Sequence, residues 1–358
     1  MRRMRLLPLA VATLLALTAG ACGGDDGSGG SSDRRGTTPA ESGDLAGKKL
    51  VLYSGRDEEL IGPIVDAFEK ETGAEVEVRY GSSSEMAAQI LEEGGATPAE
   101  VFYSQEVGAV GALAKAGLLS ELPEDVVTSV QERFRPKGER LWVGVTGRSR
   151  VIVHNPDALA DLGLDTPSGV ADLTDPQYKG HVAIVPGNAG FKAFVTAFRV
   201  SEGEDAARKW LTDMKANQAD ASFESNGDVL EAVNNGDVAI GLINHYYWAR
   251  HENRDQLAAK LIFPKGDDPG GLVNATAVGI TKKGADNPVA LALVRYLLSA
   301  DGQQRFVEET WEYPVIEGVG DPEGIPALDS LEGPAIDLAD LDSLEATEAL
   351  LADLGLLE

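Results

Sequence analysis

Between Leu50 and Leu113 short apolar strands alternate with amphipathic helices, and that alternation narrows the folds open to this chain more than any other feature. Leu50-Val51-Leu52-Tyr53 reads as a buried strand closed by the turn residues Ser54 and Gly55. Leu60, Ile61, Ile64, Val65 and Phe68 then recur at helical spacing, and Gly73 is a natural helix stop. Val76 to Tyr80 alternates as a strand, 84–93 reads as a helix, Val101-Phe102-Tyr103 as a strand, and a helix follows through Leu113. This β-α-β-α-β order predicts a parallel sheet with helices on both faces. A second run of the same kind begins after about Val151. It has strands at 181–185 and 238–243 and helices at 191–200, 205–214 and 227–233. Two α/β lobes are therefore expected, a number that 358 residues also suggest.

The first 47 residues have a different character. Arg2, Arg3 and Arg5 precede an apolar run from Leu6 to Leu17, and small residues lead into Cys22, the one cysteine of the chain. The apolar run is too short to span a bilayer, so 1–21 is expected to be a secretory signal peptide. Cys22 stands where a bacterial lipoprotein signal carries its lipidated cysteine, with Ala19 at the position that usually holds Leu. The alternative is a plain cleavage near Ala21 that leaves a spare thiol. From Gly23 to about Gly47 the chain is Gly, Ser, Asp and Thr without apolar period, a flexible linker. Loss of the three leader arginines takes the formal charge from −27 to −30. Nucleic acid is a poor partner for such a chain. A single cysteine excludes an internal disulfide and any Cys-rich zinc or iron–sulfur site.

In open α/β sheets ligands bind beyond the carboxyl ends of the strands, which makes four strand ends the candidates. They are Ser54-Gly55-Arg56-Asp57, Ser104-Gln105-Glu106, the turn from Pro186 to Gly190, and Asn244-His245-Tyr246-Tyr247-Trp248. The Pro186–Gly190 turn leads small-residue backbone into a helix start, which suits an anion or is simply a strand-to-helix turn. Adjacent Tyr246 and Tyr247 line one site only if the strand breaks there, and the residues after them suggest that it does. Deprotonated phenols are hard oxygen donors that only a strongly Lewis-acidic metal elicits at neutral pH. Aromatic packing at a lobe surface is the alternative. Asp57 precedes a helix and suits either an N-cap or a ligand. Arg148 and Arg150 could neutralise an anion or a phenolate, or anchor strands to carboxylates. His154 and His245 lie near these ends and are not assigned as ligands. The chain has no Gly-x-Ser-x-Gly, His-Glu-x-x-His or phosphate-loop motif, so a secreted metal-dependent enzyme is a remote alternative.

Several dispersed blocks share one order with a known family. They are Leu52-Tyr53-Ser54-Gly55, Pro98-Ala99-Glu100-Val101-Phe102-Tyr103-Ser104, Gly147-Arg148-Ser149-Arg150-Val151, Leu242-Ile243-Asn244-His245-Tyr246-Tyr247-Trp248 and Glu312-Tyr313-Pro314. Through them, residues 48 to 320 resemble the periplasmic ferric-ion-binding proteins of bacterial iron ABC transporters. The resemblance implies a two-lobed, transferrin-like α/β fold of the type II periplasmic-binding-protein kind, whose cleft closes on Fe³⁺. It implies two hinge strands, near 148–153 and 272–280. The lobes would be 48–149 with about 275–315, and 150–274 with about 316–358. The family's tyrosine ligands fall on Tyr246 and Tyr247, whereas its histidine and glutamate positions hold Asp57 and Gln105. Glu106 could stand in for Gln105, although its side chain should point elsewhere if the chain stays extended. A synergistic anion, phosphate or carbonate, would be held by Asn188, Ala189, Gly190, Asn226 and Asn244. The implied partners are a membrane permease and the lipid anchor on Cys22, with the protein a monomer. The same fold could instead carry a small organic or anionic solute of phosphonate, polyamine or thiamine type.

Overall fold

A computed structural model describes residues 45–357; the expected signal peptide, Cys22 and nearly all of the linker lie outside the described residues. Among the described residues nine strands build two sheets joined through β4: β1 (Lys49–Ser54), β2 (Glu75–Tyr80), β3 (Val101–Ser104), β4 (Val143–His154), β5 (Val182–Ala183), β6 (Ile240–Asn244), β7 (Lys260–Ile262), β8 (Val273–Ile280) and β9 (Tyr313–Pro314). Their order is β2-β1-β3-β8-β4-β6-β5, with β7 and β9 also on β4. The expected parallel pairing holds for β1 with β2 and β3 and for β5 with β6. The whole is mixed, because β8 and β4 run antiparallel to their neighbours.

That reversal makes the molecule two-lobed. The first half of β4 pairs with β8 and β9, and from Arg150 onward it pairs with β6 and β7. One continuous strand thus passes from one sheet to the other at Ser149 and Arg150, and the Arg150 amide donates to the Leu272 carbonyl just before β8. Each lobe encloses its own core. Leu50, Leu52, Ile64, Phe68, Phe102 and Val278 are buried in the first, while Ile184, Phe191, Phe194, Trp210 and Leu242 are buried in the second.

Local chemistry sets the helices. Helix Glu58–Thr72 turns Leu60, Ile61, Ile64, Val65 and Phe68 inward and stops at Gly73, whose φ of 71° is open to glycine at little cost. Ser82 and Glu85 form a capping box for helix Ser83–Glu93. The expected strand at 181–185 shortens to Val182–Ala183, since its residues beyond Ala183 turn toward the helix that follows. The C-terminal tail packs against both cores. Leu328, Leu338 and Leu341 bury in the first core, and only Leu350 and Leu351 bury in the second. Its apolar residues follow whichever core they can reach.

Candidate functional site

The tyrosine pair stands where β6 breaks. After Asn244 the chain turns at once into helix His245–Ala249, so adjacent residues no longer project to opposite faces. Tyr246 and Tyr247 stack with ring centroids 4.6 Å apart. Tyr246 is fully buried, and its hydroxyl has no hydrogen-bond partner among the described residues. The charge of Tyr246, and then burial, push the Tyr247 phenol well above its ordinary value. The Tyr247 phenol therefore stays protonated at neutral pH until a cation takes the place of its proton.

Arginines crowd this pair. Arg56, at the end of β1, lies 5.5 Å over the Tyr246 ring and pairs with Glu312 at 3.0 Å, both side chains buried. Arg250 lies over Tyr247 at 5.4 Å and reaches Glu59 of the first lobe at 3.1 Å. Arg150 donates to Asn226 Oδ1 at 3.0 Å, Asn244 Oδ1 at 3.3 Å and the Leu242 carbonyl at 2.7 Å. Burial pulls its pKa down to about 9, against the pull of the two tyrosines, and it remains a cation at neutral pH. Arg148, also buried, has neither Nη1 nor Nη2 satisfied among the described residues.

A cavity of about 10 Å³, roughly the room of one water molecule, lies among Arg148, Arg150, Gly190, Asn244, Leu272 and Asn274. The side-chain amide nitrogens of Asn226, Asn244 and Asn274 are buried without an acceptor among the described residues. Unpaired buried donors from four of its lining side chains, Arg148, Arg150 through Nε, Asn244 and Asn274, favour an anion there. A Cβ on Gly190 would stand 2.7 Å from Asn244 Nδ2, so only glycine lets the helix start approach that closely. Asn188 does something plainer: its Oδ1 accepts from the amides of Gly190 and Phe191, capping helix Ala189–Glu202. Ala189 is half-buried beside it.

The first lobe's candidates lie on the turns after β1 and β3. Asp57 is exposed at the N-cap position of helix Glu58–Thr72 but makes no side-chain cap bond. The Gln105 amide N–H donates to Ser83 Oγ at 2.9 Å, and the side chain is buried. Among the described residues no three His, Cys, Asp or Glu side chains cluster to hold a metal, so a metal centre here depends on the phenols.

Neither histidine belongs to the cleft as a donor. His245 Nδ1 accepts from the Ser149 amide at 3.1 Å and Nε2 bonds the Trp311 carbonyl at 2.9 Å. Burial lowers its pKa to about 4, and the neutral ring ties the tyrosine helix to the strand crossing. His154 pairs with Ile240, four residues along β4 from the Arg150 position and so about 13 Å farther from the tyrosine end. Sequence reasoning left Arg56, Glu312 and Asn274 unassigned. Arg56 and Glu312 each lie in or beside a quoted block, but their partnership spans 256 residues and only the fold reveals it.

Comparisons with known proteins agree with this geometry. A family model described as bacterial extracellular solute-binding protein matches residues 54–304. The Fe(3+)-binding periplasmic protein of Serratia marcescens is 33% identical over 318 residues, which cover 87% of this chain and 92% of that protein. The iron-bound structure of HitA from Pseudomonas aeruginosa superposes with a TM-score of 0.80 at 31% identity, covering 86% of this chain and 99% of the other. The Trichodesmium structure in complex with iron and citrate gives a TM-score of 0.70 at 25% identity, with 86% and 100% covered.

Proposed function

The chain belongs to the family of bacterial extracellular solute-binding proteins, and on that premise we propose that it is the extracytoplasmic Fe³⁺-binding component of an ABC importer. The observation that carries the reading is the stacked Tyr246–Tyr247 pair, with the Tyr246 hydroxyl buried and unpaired among the described residues. A buried hydroxyl without a partner costs roughly 1–3 kcal/mol. Fe³⁺, a hard cation, turns that liability into an anionic oxygen ligand. Asp57 and Gln105 would complete the shell from the first lobe as the cleft closes.

Charge argues for an accompanying anion. The buried guanidiniums of Arg56, Arg148 and Arg150 outnumber the buried carboxylates of Glu106 and Glu312 by one. Fe³⁺ with two phenolates and the Asp57 carboxylate is formally neutral, so an anion, or a chelate in place of Asp57, offsets the excess guanidinium. We assign that anion, phosphate or carbonate in type, to Asn226, Asn244 and the turn at Ala189 and Gly190, with Asn188 holding the helix start. Arg148 supplies the cation it faces.

Lipidation of Cys22 would tether the protein beside its permease, leaving a monomeric body to close and dock. The body carries no motif for catalysis, and we read it as a carrier. Purified chain titrated with ferric salt in the presence of carbonate or phosphate is expected to develop the visible tyrosinate-to-iron band. Colourless protein with no metal after such loading would overturn the reading in favour of an organic or anionic solute.

A further inference from the structure

Arg56 belongs to the first lobe, yet its guanidinium lies over the ring of a tyrosine in the second. The turn after β1 places it: Ser54 Oγ accepts from the Arg56 amide at 3.1 Å and donates to the Arg56 carbonyl at 2.9 Å. The side chain is buried, and so is that of Glu312, which it meets at 3.0 Å. Arginine–carboxylate pairs are strongest as a two-bond fork. This one makes a single bond, from Nη2 to Oε2, and leaves Arg56 Nη1 and Glu312 Oε1 without a hydrogen-bond partner among the described residues. A relay of hydroxyls shares Oε2. Tyr103 of β3 donates to Thr276 of β8 at 3.0 Å, Thr276 lies 2.7 Å from Thr146 of β4, and Thr146 donates to Glu312 at 3.1 Å. The carboxylate is thus fastened to the strand that passes from one lobe to the other, and it holds the guanidinium 5.5 Å from the Tyr246 ring centroid.

A pair that served only to anchor the turn would close its fork. Here the carboxylate is turned to the threonine relay and the guanidinium to an aromatic face. A cation over such a face is attracted to it, most when both are shielded from water. On the ferric reading Tyr246 is a phenolate, and positive charge over its ring holds electron density that the ring would otherwise lend to the metal. Arg250 lies over Tyr247 in the same way at 5.4 Å, but it is partly exposed, its partner Glu59 more so, and water and salt screen it. We propose that Arg56 is a positioning residue that acts on bound iron through Tyr246. It lowers how strongly that phenolate donates, and with it the preference of the site for ferric over ferrous iron; this rests on the ferric reading above. Glu312 sets the strength of the effect, because it fixes the place of the guanidinium and offsets part of its charge.

The test compares iron-loaded Arg56→Gln, Arg56→Lys and the double variant Arg56→Gln with Glu312→Gln against the parent chain. Each is read by the energy of the tyrosinate band, by the midpoint potential of the bound iron in mediated spectroelectrochemistry, and by its melting temperature without iron. Arg56→Gln is expected to move the band to lower energy, because the ring then gives up its electron more readily. Its preference for ferric over ferrous iron should rise about tenfold, a fall in potential of about 59 mV for one electron. Arg56→Lys keeps the charge and should lie nearer the parent. The double variant removes the guanidinium without stranding a buried carboxylate, so it decides the matter if Arg56→Gln does not fold. Its band and potential should move the same way, by less. A lower iron-free melting temperature with band and potential unmoved would mark a structural anchor and overturn the proposal. So would Arg56→Lys indistinguishable from Arg56→Gln, since charge would then not be the cause. A parent chain that shows no tyrosinate band at all would instead bring down the ferric reading, and this proposal with it.

Discussion

The two walls of the cleft are built on different terms. On the second lobe each candidate donor is held in advance: Tyr246 and Tyr247 stack, Arg150 bonds three acceptors, and Asn188 caps the helix that presents Gly190. On the first lobe Asp57 is exposed without a cap bond, and Glu106 is buried without a hydrogen-bond partner among the described residues. A wall that is already braced selects what it binds, whereas a wall of unpaired charge responds to what has arrived. On the ferric reading proposed above, the second lobe would set metal identity and the first would supply charge on closure.

The largest effect should come from the braced wall. Changing Tyr246 and Tyr247 together to Phe is expected to abolish the visible band and iron retention while leaving the far-UV circular dichroism intact. Because the Tyr247 phenol is pushed up, iron must release phenol protons when it binds, and a pH-stat should record them. Acid then opposes binding, and iron retention should fall as pH falls. A double variant that keeps the band would show that the stack is packing and that the two walls do not differ in this way.

Next comes the brace itself. Arg150→Met leaves Asn226 Oδ1, Asn244 Oδ1 and the Leu242 carbonyl without their donor. Denaturant unfolding of the iron-free protein is expected to show a loss of about 2–4 kcal/mol. Iron affinity should fall further than this loss explains, and its dependence on added phosphate or carbonate should disappear. A variant that loses stability but keeps the anion dependence would move the anion away from this wall.

How much of this was legible beforehand follows the range of the interactions. Helix periodicity and caps are local, so the strand ends that carry Asp57, Gln105, Gly190 and Tyr246 could be located from the sequence. The break of β6 after Asn244 was legible for the same reason. What escaped was long-range. Arg56 meets Glu312 only because β4 carries β9 beside it, and the antiparallel β8 has no local signature. The packing of the tail is equally long-range, since Leu328 and Leu351 are equally apolar in sequence and enter different cores. For Glu106 the condition that the strand stays extended does not hold, because β3 ends at Ser104.

A smaller effect lies where the walls join. His245 is buried and neutral, with its pKa lowered to about 4 from an ordinary value near 6.5. The unfolded chain therefore binds a proton that the fold refuses throughout that window. Stability should be complete above about pH 6.5 and decline as pH falls toward 4, by at most roughly 3 kcal/mol from this group. Measuring iron-free protein separates the decline from proton competition at the metal. The part of that slope that vanishes in His245→Asn belongs to the joint, and an unchanged slope would place it in the carboxylates of the two walls.

The smallest effect should be at Asp57, and it sharpens the contrast most. Its position is that of a helix N-cap, where loss of a bonded side chain typically costs about 1 kcal/mol. Here no cap bond is made, and the residue is exposed. Asp57→Ala should therefore shift iron-free stability by no more than about 0.5 kcal/mol. If Asp57 meets the metal only on closure, iron affinity should fall modestly, through faster dissociation, because a late contact holds the closed state without helping to form it. Stopped-flow association and chelator-driven release measure the two rates separately. A loss of about 1 kcal/mol without iron would restore the cap reading. A slower association rate would mean that Asp57 already acts in the open cleft, and the first lobe would then share in selecting the metal.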